Sequence, residues 1–181
     1  MARTSFTLEQ VISFLFDSPM FEDLDTTELS EVVGMLQVQV MRHGQVVYQE
    51  GDPGDGWYLV WEGRVEVLRT SSTGASRSIG ILGPHSSFGE TAVLDGQPRG
   101  VTVRSLGDTV LLRIPRREFE RMIETHSPAA CKLSLALART VLRWYRQAMS
   151  ELADASSEQD AMASAVRDRI EPLVPGLPPG E

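Results

Sequence analysis

The feature that most constrains the fold of this chain is a change of hydrophobic spacing near residues 37 and 115. Before residue 37 and after residue 115, apolar residues recur at helical spacing. Between these points the chain consists of short β-rich runs that are interrupted by glycine. Many short strands with glycine turns are typical of a sandwich or barrel. We therefore predict a mainly β domain over 37–115 with helices on both sides.

Seven segments inside this domain are predicted as strands because they are short, apolar and bounded by turn residues. They are Val38–Met41, Val46–Gln49, Trp57–Trp61, Val65–Arg69, Ser78–Leu82, Val101–Ser105 and Val110–Ile114.

Two helices are predicted in residues 1–36. Thr7 with Gln10, and Asp25 with Glu28, have the three-residue spacing of a capping box, and each pair is followed by apolar residues at helical spacing.

Helices are also predicted over residues 116–155: a short one at Arg116–Glu124 and a long one at Pro128–Ala153. The long helix has two apolar stripes, and a helix with two apolar faces needs two partners. One stripe comprises Leu133, Leu137, Val141, Trp144 and Ala148. The other comprises Leu135, Ala138, Leu142, Tyr145, Met149 and Leu152, in the steps of three and four of a coiled-coil seam. We predict that one face packs on the β domain and the other on a second copy of the chain; the alternative is that both pack within one subunit.

Residues 156–181 are predicted to form a short helix, Ser156–Ile170, and a proline-rich tail. Only about 30 residues follow the long helix. That segment is too short and too acidic for a winged-helix DNA reader, so we expect a single domain without an attached effector.

The net charge of −8 and the pI near 4.9 argue against general affinity for nucleic acid. Acidic residues dominate positions 1–60 and basic residues dominate 113–146. The two segments either form solvated faces that attract each other across the fold, or the basic one is a surface that recognises an acidic partner. The single cysteine, Cys131, favours a reducing compartment. With no apolar run of about 20 residues and no signal-peptide core, we expect a cytoplasmic protein without a membrane span.

The sequence Phe88-Gly89-Glu90-Thr91-Ala92, followed by Pro98-Arg99-Gly100-Val101, carries the binding chemistry. Gly89 permits close approach of the backbone to a ligand. Glu90 accepts hydrogen bonds from hydroxyl groups, and Arg99 presents a planar fork of donors that suits a phosphate. A short helix predicted over Glu90–Leu94 adds unpaired N–H groups at its start. Together these groups predict a site for a sugar that carries a phosphate.

This segment, residues 88–103, resembles the phosphate-binding cassette of the cyclic nucleotide-binding domain family. A second signature lies upstream, in Glu50-Gly51-Asp52-Pro53-Gly54-Asp55 and Gly63-Arg64-Val65, and is similar to the glycine-punctuated β-roll of that family. The resemblance runs from about Phe14 to about Leu152. It implies a double-stranded β-helix, a jelly-roll-like β-roll, between N-terminal helices and a long C-terminal helix.

The resemblance also implies roles for the cassette residues. Glu90 matches the glutamate that bonds the ribose 2′-hydroxyl, and Arg99 matches the phosphate partner. Backbone N–H groups of Ala92 and Gly100 match the phosphate donors. Phe88, Gly89, Thr91 and Val101 complete the predicted ligand-binding set. Many relatives carry Ala, Ser or Thr at the position of Gly100, and the hydroxyl-bearing ones often accompany cGMP recognition, so cAMP is favoured over cGMP.

Arg143, Trp144 and Tyr145 are candidates to cap the base from the long helix, since an aromatic ring there could stack on adenine. The alternative is that these aromatic residues pack in the core or a dimer. One departure from the family pattern lies just before the cassette, where His85-Ser86 replaces a Gly-Asp turn.

The leading interpretation is a regulatory cyclic nucleotide-binding module that recognises its ligand without turnover, as a homodimer and with an unknown effector protein. No catalytic residue, metal or further cofactor is expected. The alternative is an interaction scaffold with the same fold that binds no nucleotide. A metal enzyme on a similar β-roll is disfavoured, because the three histidines are dispersed and none forms an H-x-H pair.

Overall fold

In a computed structural model, which describes residues 6–71 and 73–170, two four-stranded antiparallel sheets face each other in a jelly-roll. The strand orders are β1-β8-β3-β6 and β2-β7-β4-β5. The strands are β1 Gln37–Met41, β2 Val46–Tyr48, β3 Gly56–Glu62, β4 Val65–Thr70, β5 Ser76–Leu82, β6 Ser87–Phe88, β7 Thr102–Ser105 and β8 Thr109–Pro115. This architecture confirms the predicted fold class.

Each of the seven predicted strands is present. The eighth, β6, was not predicted because its two residues are too few to show any period. It pairs with β3 through Tyr58 opposite Phe88, and it thereby fixes the chain just before the cassette.

The helices are α1 Leu8–Phe16, α2 Thr26–Met35, α3 Glu90–Asp95, α4 Arg116–Glu124 and α5 Pro128–Ile170, with a 3-10 turn at Pro19–Phe21. Both predicted capping boxes are formed, at Thr7 and at Asp25. Each box satisfies backbone N–H groups that the first turn of a helix leaves without partners.

The long C-terminal helix differs from its prediction. The sequence pattern placed one helix at Pro128–Ala153 and another at Ser156–Ile170, whereas α5 is continuous to Ile170. No glycine or proline occurs between residues 153 and 170, so nothing in the sequence ends the helix. The predicted proline-rich tail lies outside the described residues.

The chain divides into two units, Met1–Val141 and Leu142–Glu181, and the hydrophobic core belongs to the first. In β3, side chains alternate between two apolar layers. Trp57 and Leu59 join the helices in one layer, whereas Tyr58 and Val60 fill the interior of the β-roll. This double burial explains why β3 is buried at every position from Trp57 to Val60.

The first stripe of α5 is buried only in part. Leu133 and Leu137 are fully buried in the helical layer, but Trp144 is 45% exposed. The second stripe is exposed, from Leu135 to Leu152.

The two oppositely charged segments of the sequence meet in ion pairs. Nζ of Lys132 lies 2.6 Å from a carboxylate oxygen of Glu28, and Nη1 of Arg139 lies 2.8 Å from one of Asp23. These pairs confirm the interpretation of attraction across the fold, although such exposed pairs contribute little stability. Of the helices within the described residues, none is both long and apolar enough to cross a membrane.

Candidate ligand-binding site

The cassette begins at a strand-to-helix turn centred on Gly89. Its φ of 85° is left-handed, and a Cβ atom built there would lie 2.7 Å from Nη1 of Arg99. Both the conformation and the space therefore require glycine. Helix α3 starts at the next residue, which confirms the short helix predicted from Glu90.

Glu90 points its carboxyl group into the protein rather than into water. The residue is 5% exposed, and its Oε1 atom has no hydrogen-bond partner among the described residues. Burial raises the pKa of this carboxyl, although hydrogen bonds from the Ser87 side chain and a backbone N–H, and the charge of Arg99, act in the opposite direction. A buried acceptor without a donor is costly, so this oxygen suits a ligand hydroxyl.

Arg99 is also buried, at 3% exposure, and its guanidinium is held by acceptors of the protein. Nη1 donates to the carbonyl oxygen of Gly89 at 2.9 Å, and Nη2 donates to the carbonyl of Gly56 at 2.6 Å and to Asp55 at 3.1 Å. Nε has no partner among the described residues. The ion-pair partner of Arg99 is therefore Asp55, and a further donor remains for a ligand.

The loop between β2 and β3 wraps around this arginine. The backbone N–H of Arg99 donates to the backbone carbonyl of Asp52 at 2.8 Å, and the carbonyl of Arg99 accepts from the backbone N–H of Gly51 at 2.8 Å. Gly54 touches the cassette helix so closely that an added Cβ would lie 2.3 Å from the Cβ of Ala92. The upstream glycine motif therefore supports the cassette directly.

Asp55 was part of that motif but had no predicted role. Its carboxylate also lies 2.6 Å from Nη2 of Arg113 in β8, so it bridges two arginines. The bridge joins residues far apart in sequence, and no local pattern could have revealed it.

The guanidinium of Arg99 lies against the aromatic rings of Tyr48 and Tyr58. Neither tyrosine was predicted as a site residue, because tyrosine is common in strands. Cζ of Arg99 lies 4.1 Å from the centroid of the Tyr48 ring. Tyr58 stacks on Phe88 with ring centroids 5.1 Å apart. Phe88, predicted as a ligand contact, is 2% exposed in this interior layer.

The remaining cassette residues occupy different environments. Ala92 is buried under Gly54, Val101 packs partly against the interior layer, and Thr91 is exposed. Gly100 is exposed, and no atom lies within 4 Å of where its Cβ would be. The structure thus brings Gly89, Glu90 and Arg99 together as the centre of the site.

The predicted cap residues lie in the second unit. Arg143 is exposed, Trp144 is 45% exposed and Tyr145 is 61% exposed. Their contact with a base stays a prediction.

Arg116 connects the cassette helix to α4. Its Nη1 donates to the carbonyl of Ala92 at 3.4 Å, and its backbone N–H donates to the carbonyl of Asp55 at 2.9 Å. Its Nε donates to Glu120 at 2.6 Å. Arg116 therefore contacts α3, α4 and the loop that precedes β3.

The arrangement of these groups suits recognition of a polar ligand. It offers one buried acceptor, on Glu90, and one buried donor, on Arg99. In the part of the chain that the structure describes, no three or more His, Cys, Asp or Glu residues group closely enough to hold a metal ion.

Comparison with known proteins agrees with this geometry. Residues 38–126 match the family model described as the cyclic nucleotide-binding domain. The cyclic AMP receptor protein of Thermus thermophilus is 31% identical over 162 residues, which cover 90% of this chain and 73% of that protein. The cAMP-dependent protein kinase regulatory subunit of Dictyostelium discoideum is 32% identical over 112 residues, 60% of this chain but 34% of that protein.

Among solved structures, the catabolite activator protein of Thermus thermophilus superposes with a TM-score of 0.68 at 30% identity. The match covers 77% of this chain and 63% of that one. In these three matches the chain spans 73%, 34% and 63% of the length of the other protein.

Proposed function

The chain belongs to the cyclic nucleotide-binding domain family, and on that premise we propose that it is a regulatory sensor of a cyclic nucleotide, preferring cAMP. The observation that carries the proposal is the pair of buried atoms that have no hydrogen-bond partner within residues 6–71 and 73–170, Oε1 of Glu90 and Nε of Arg99. A 3′,5′-cyclic nucleotide has one free ribose hydroxyl, which donates, and one anionic phosphate, which accepts. It supplies the two groups that these atoms lack.

Preference for cAMP is supported by Gly100. It lacks the hydroxyl that often accompanies cGMP recognition in the family, and the space around it is open. Two similar proteins, a cyclic AMP receptor protein and a cAMP-dependent protein kinase regulatory subunit, are named for cAMP, which favours the same ligand.

The proposed signal is a rearrangement of the C-terminal helices. Ligand contact at Glu90 and Arg99 acts on α3, and Arg116 links α3 to α4, which precedes α5 by only a few residues. The ligand drives such a change only to the extent that it binds one arrangement more tightly than the other. Arg143, Trp144 and Tyr145 are the residues of α5 that we propose to cap the base.

We further propose that the exposed stripe of α5 pairs with a second copy of the chain. Its large apolar members, Leu142, Tyr145, Met149 and Leu152, are each about half or more exposed. A two-fold pairing of identical helices would cover them, and two-fold dimers are the commonest assemblies.

A scaffold that binds no nucleotide is the second candidate. The observation in its favour is that Arg99 already has Asp55 as an ion-pair partner and two carbonyl acceptors. A site whose arginine is satisfied by the protein has less to gain from a phosphate.

Two measurements on the purified protein separate the sensor from the scaffold: calorimetric titration with cAMP and with cGMP, and melting curves with each nucleotide. The sensor binds cAMP more tightly than cGMP, and cAMP raises the melting temperature by preferential binding to the folded state. No heat of binding and an unchanged melting curve at millimolar nucleotide would favour the scaffold.

A further inference from the structure

Tyr48, at the end of β2, supplies the flat surface on which the Arg99 guanidinium rests. Cζ of Arg99 lies 4.1 Å from the centroid of the Tyr48 ring and 5.8 Å from that of Tyr58. Tyr48 is 7% exposed and Arg99 is 3% exposed. The contact is therefore removed from water, where the attraction between a cation and an aromatic face is strongest.

Hydrogen bonds fix the edge of this guanidinium, and the ring fixes its plane. Nη1 and Nη2 donate to the carbonyls of Gly89 and Gly56 and to Asp55, all at one end of the group. Bonds along one edge alone would let the plane tilt about that edge, whereas a ring against the face opposes the tilt. Nε, which has no acceptor among the described residues, is thereby left in a set direction.

We propose that Tyr48 is a positioning residue, whose ring presets the orientation in which Arg99 meets the phosphate of a ligand. The identity of the ligand rests on the proposed function, but the orientation of Arg99 is a property of the protein without ligand. A long arginine side chain loses much conformational freedom when it is ordered. If the ring has already ordered it, less is lost on binding, and affinity rises.

The ring, rather than the hydroxyl, carries this role. No hydrogen bond of the described residues involves the Tyr48 hydroxyl, whereas the Tyr58 hydroxyl interacts with Arg113. Burial raises the pKa of Tyr48 strongly, against the opposing charge of Arg99, so the phenol stays neutral at physiological pH. Tyr48→Phe should therefore preserve the function, and Tyr48→Leu should remove it.

The first measurement uses the protein without nucleotide. The order parameter of the Arg99 Nε–H bond, obtained from 15N relaxation, reports how far the guanidinium is restricted to one direction. We expect a high order parameter in the parent and in Tyr48→Phe, and a lower one in Tyr48→Leu. An equally high order parameter in Tyr48→Leu would overturn the proposal, and this holds whether or not any nucleotide binds.

The second measurement is calorimetric affinity for cAMP, taken well below the melting temperature. We expect Tyr48→Phe to stay within about twofold of the parent and Tyr48→Leu to bind about fivefold to tenfold more weakly. Leu111→Ala is the matched control, since Leu111 is a fully buried member of the same interior layer. It should lose stability and keep affinity.

Each outcome of the binding measurement decides something separate. Equal losses in Tyr48→Phe and Tyr48→Leu would assign the effect to the hydroxyl and overturn positioning by the ring. Equal losses of affinity in Tyr48→Leu and Leu111→Ala would assign the effect to general loosening of the interior layer, which would also overturn positioning by the ring. A parent that binds no nucleotide defeats the proposed function, and the NMR comparison still decides the positioning.

If Tyr48→Leu does not fold, phenylalanine analogues with an increasing number of ring fluorines can be placed at position 48 by suppression of a stop codon. Fluorine weakens the negative face of the ring while nearly preserving its shape. Affinity should fall with each added fluorine; affinity independent of fluorination would overturn the proposal.

Discussion

Around Arg99, polar atoms are buried without protein partners, whereas along α5 beyond Val141 large apolar side chains are exposed to water. The first region lacks hydrogen bonds at two atoms, on Glu90 and on Arg99. The second lacks apolar cover over a row of side chains that includes Leu142 and Met149. Both regions are incomplete, but what is missing differs in kind.

The difference indicates what each region recognises. A few buried polar atoms are satisfied by a small ligand with matching donors and acceptors. An exposed apolar row at coiled-coil spacing needs an extended apolar surface, such as another helix. The following substitutions test whether the two regions are independent, in order of decreasing expected effect on association and affinity.

Leu142→Glu should convert the proposed dimer to monomers while nucleotide binding survives. The two-fold axis brings two such charges into one seam, and burying charge without a partner is strongly unfavourable. We expect the dissociation constant of the dimer to rise by at least about a hundredfold, or roughly 2.7 kcal/mol. Light scattering during gel filtration measures the mass.

The matched control is Ser150→Glu, which adds the same charge at an exposed position of α5 outside both apolar stripes and should leave the dimer intact. If the parent protein is itself a monomer at tens of micromolar, the proposed pairing is wrong.

Arg99→Ala should weaken cAMP binding by at least about tenfold, or roughly 1.4 kcal/mol, because a charge-assisted contact to the phosphate is lost. The fold should survive, since Asp55 keeps its ion pair with Arg113. Arg104→Ala is the control: this half-exposed arginine of β7 pairs with Glu66 of the neighbouring strand β4. Parent-like affinity in Arg99→Ala, measured by calorimetry, would disprove the phosphate assignment.

Glu90→Gln should raise the stability of the free protein and lower its affinity for cAMP. Burial raises the pKa of Glu90 above its ordinary value near 4.5, so the folded protein holds this proton to a higher pH than the unfolded chain does. The parent therefore loses stability as pH rises between the unfolded and folded pKa values, and Glu90→Gln does not. Its melting temperature should exceed that of the parent at neutral pH, with the difference shrinking towards pH 4.5.

The affinity loss in Glu90→Gln should be about fivefold to tenfold, because a neutral amide accepts the ribose hydroxyl more weakly than a carboxylate does. Glu62→Gln, at an exposed position of β3, is the control and should change neither quantity. A glutamine variant that melts below the parent at every pH would contradict the argument from burial.

Much of this site could be predicted from sequence because its signals are local. The capping residues lie three positions apart, and the cassette places Gly89, Glu90 and Arg99 within eleven residues. Each type of residue has a short-range chemical reason to occur there. The helix starts, seven strands and the centre of the site follow from such patterns.

What the sequence could not predict depends on contacts between distant segments. Asp55 and Tyr48 reach Arg99 from 44 and 51 positions away, as the difference of their residue numbers shows. Neither residue type signals such a partner, since aspartate is common in turns and tyrosine is common in strands. Likewise, α5 extends to Ile170 because no glycine or proline ends it after Ala153. The prediction looked for residues that begin or end a helix, and it therefore missed a helix that simply continues.

The last contrast is between two glycines of the cassette, and it concerns stability. Gly89→Ala should destabilise the protein by about 1–3 kcal/mol, since alanine must adopt a left-handed φ and its Cβ would meet Nη1 of Arg99 at 2.7 Å. Gly100→Ala, in open space at an exposed position, should stay within about 0.5 kcal/mol of the parent. Urea unfolding of both variants measures the difference. If cAMP affinity falls in Gly89→Ala and is unchanged in Gly100→Ala, the displaced Arg99 accounts for the loss. If the two variants are equally stable, the close contact between Gly89 and Arg99 does not hold in solution, and the preset geometry of the cassette must be abandoned.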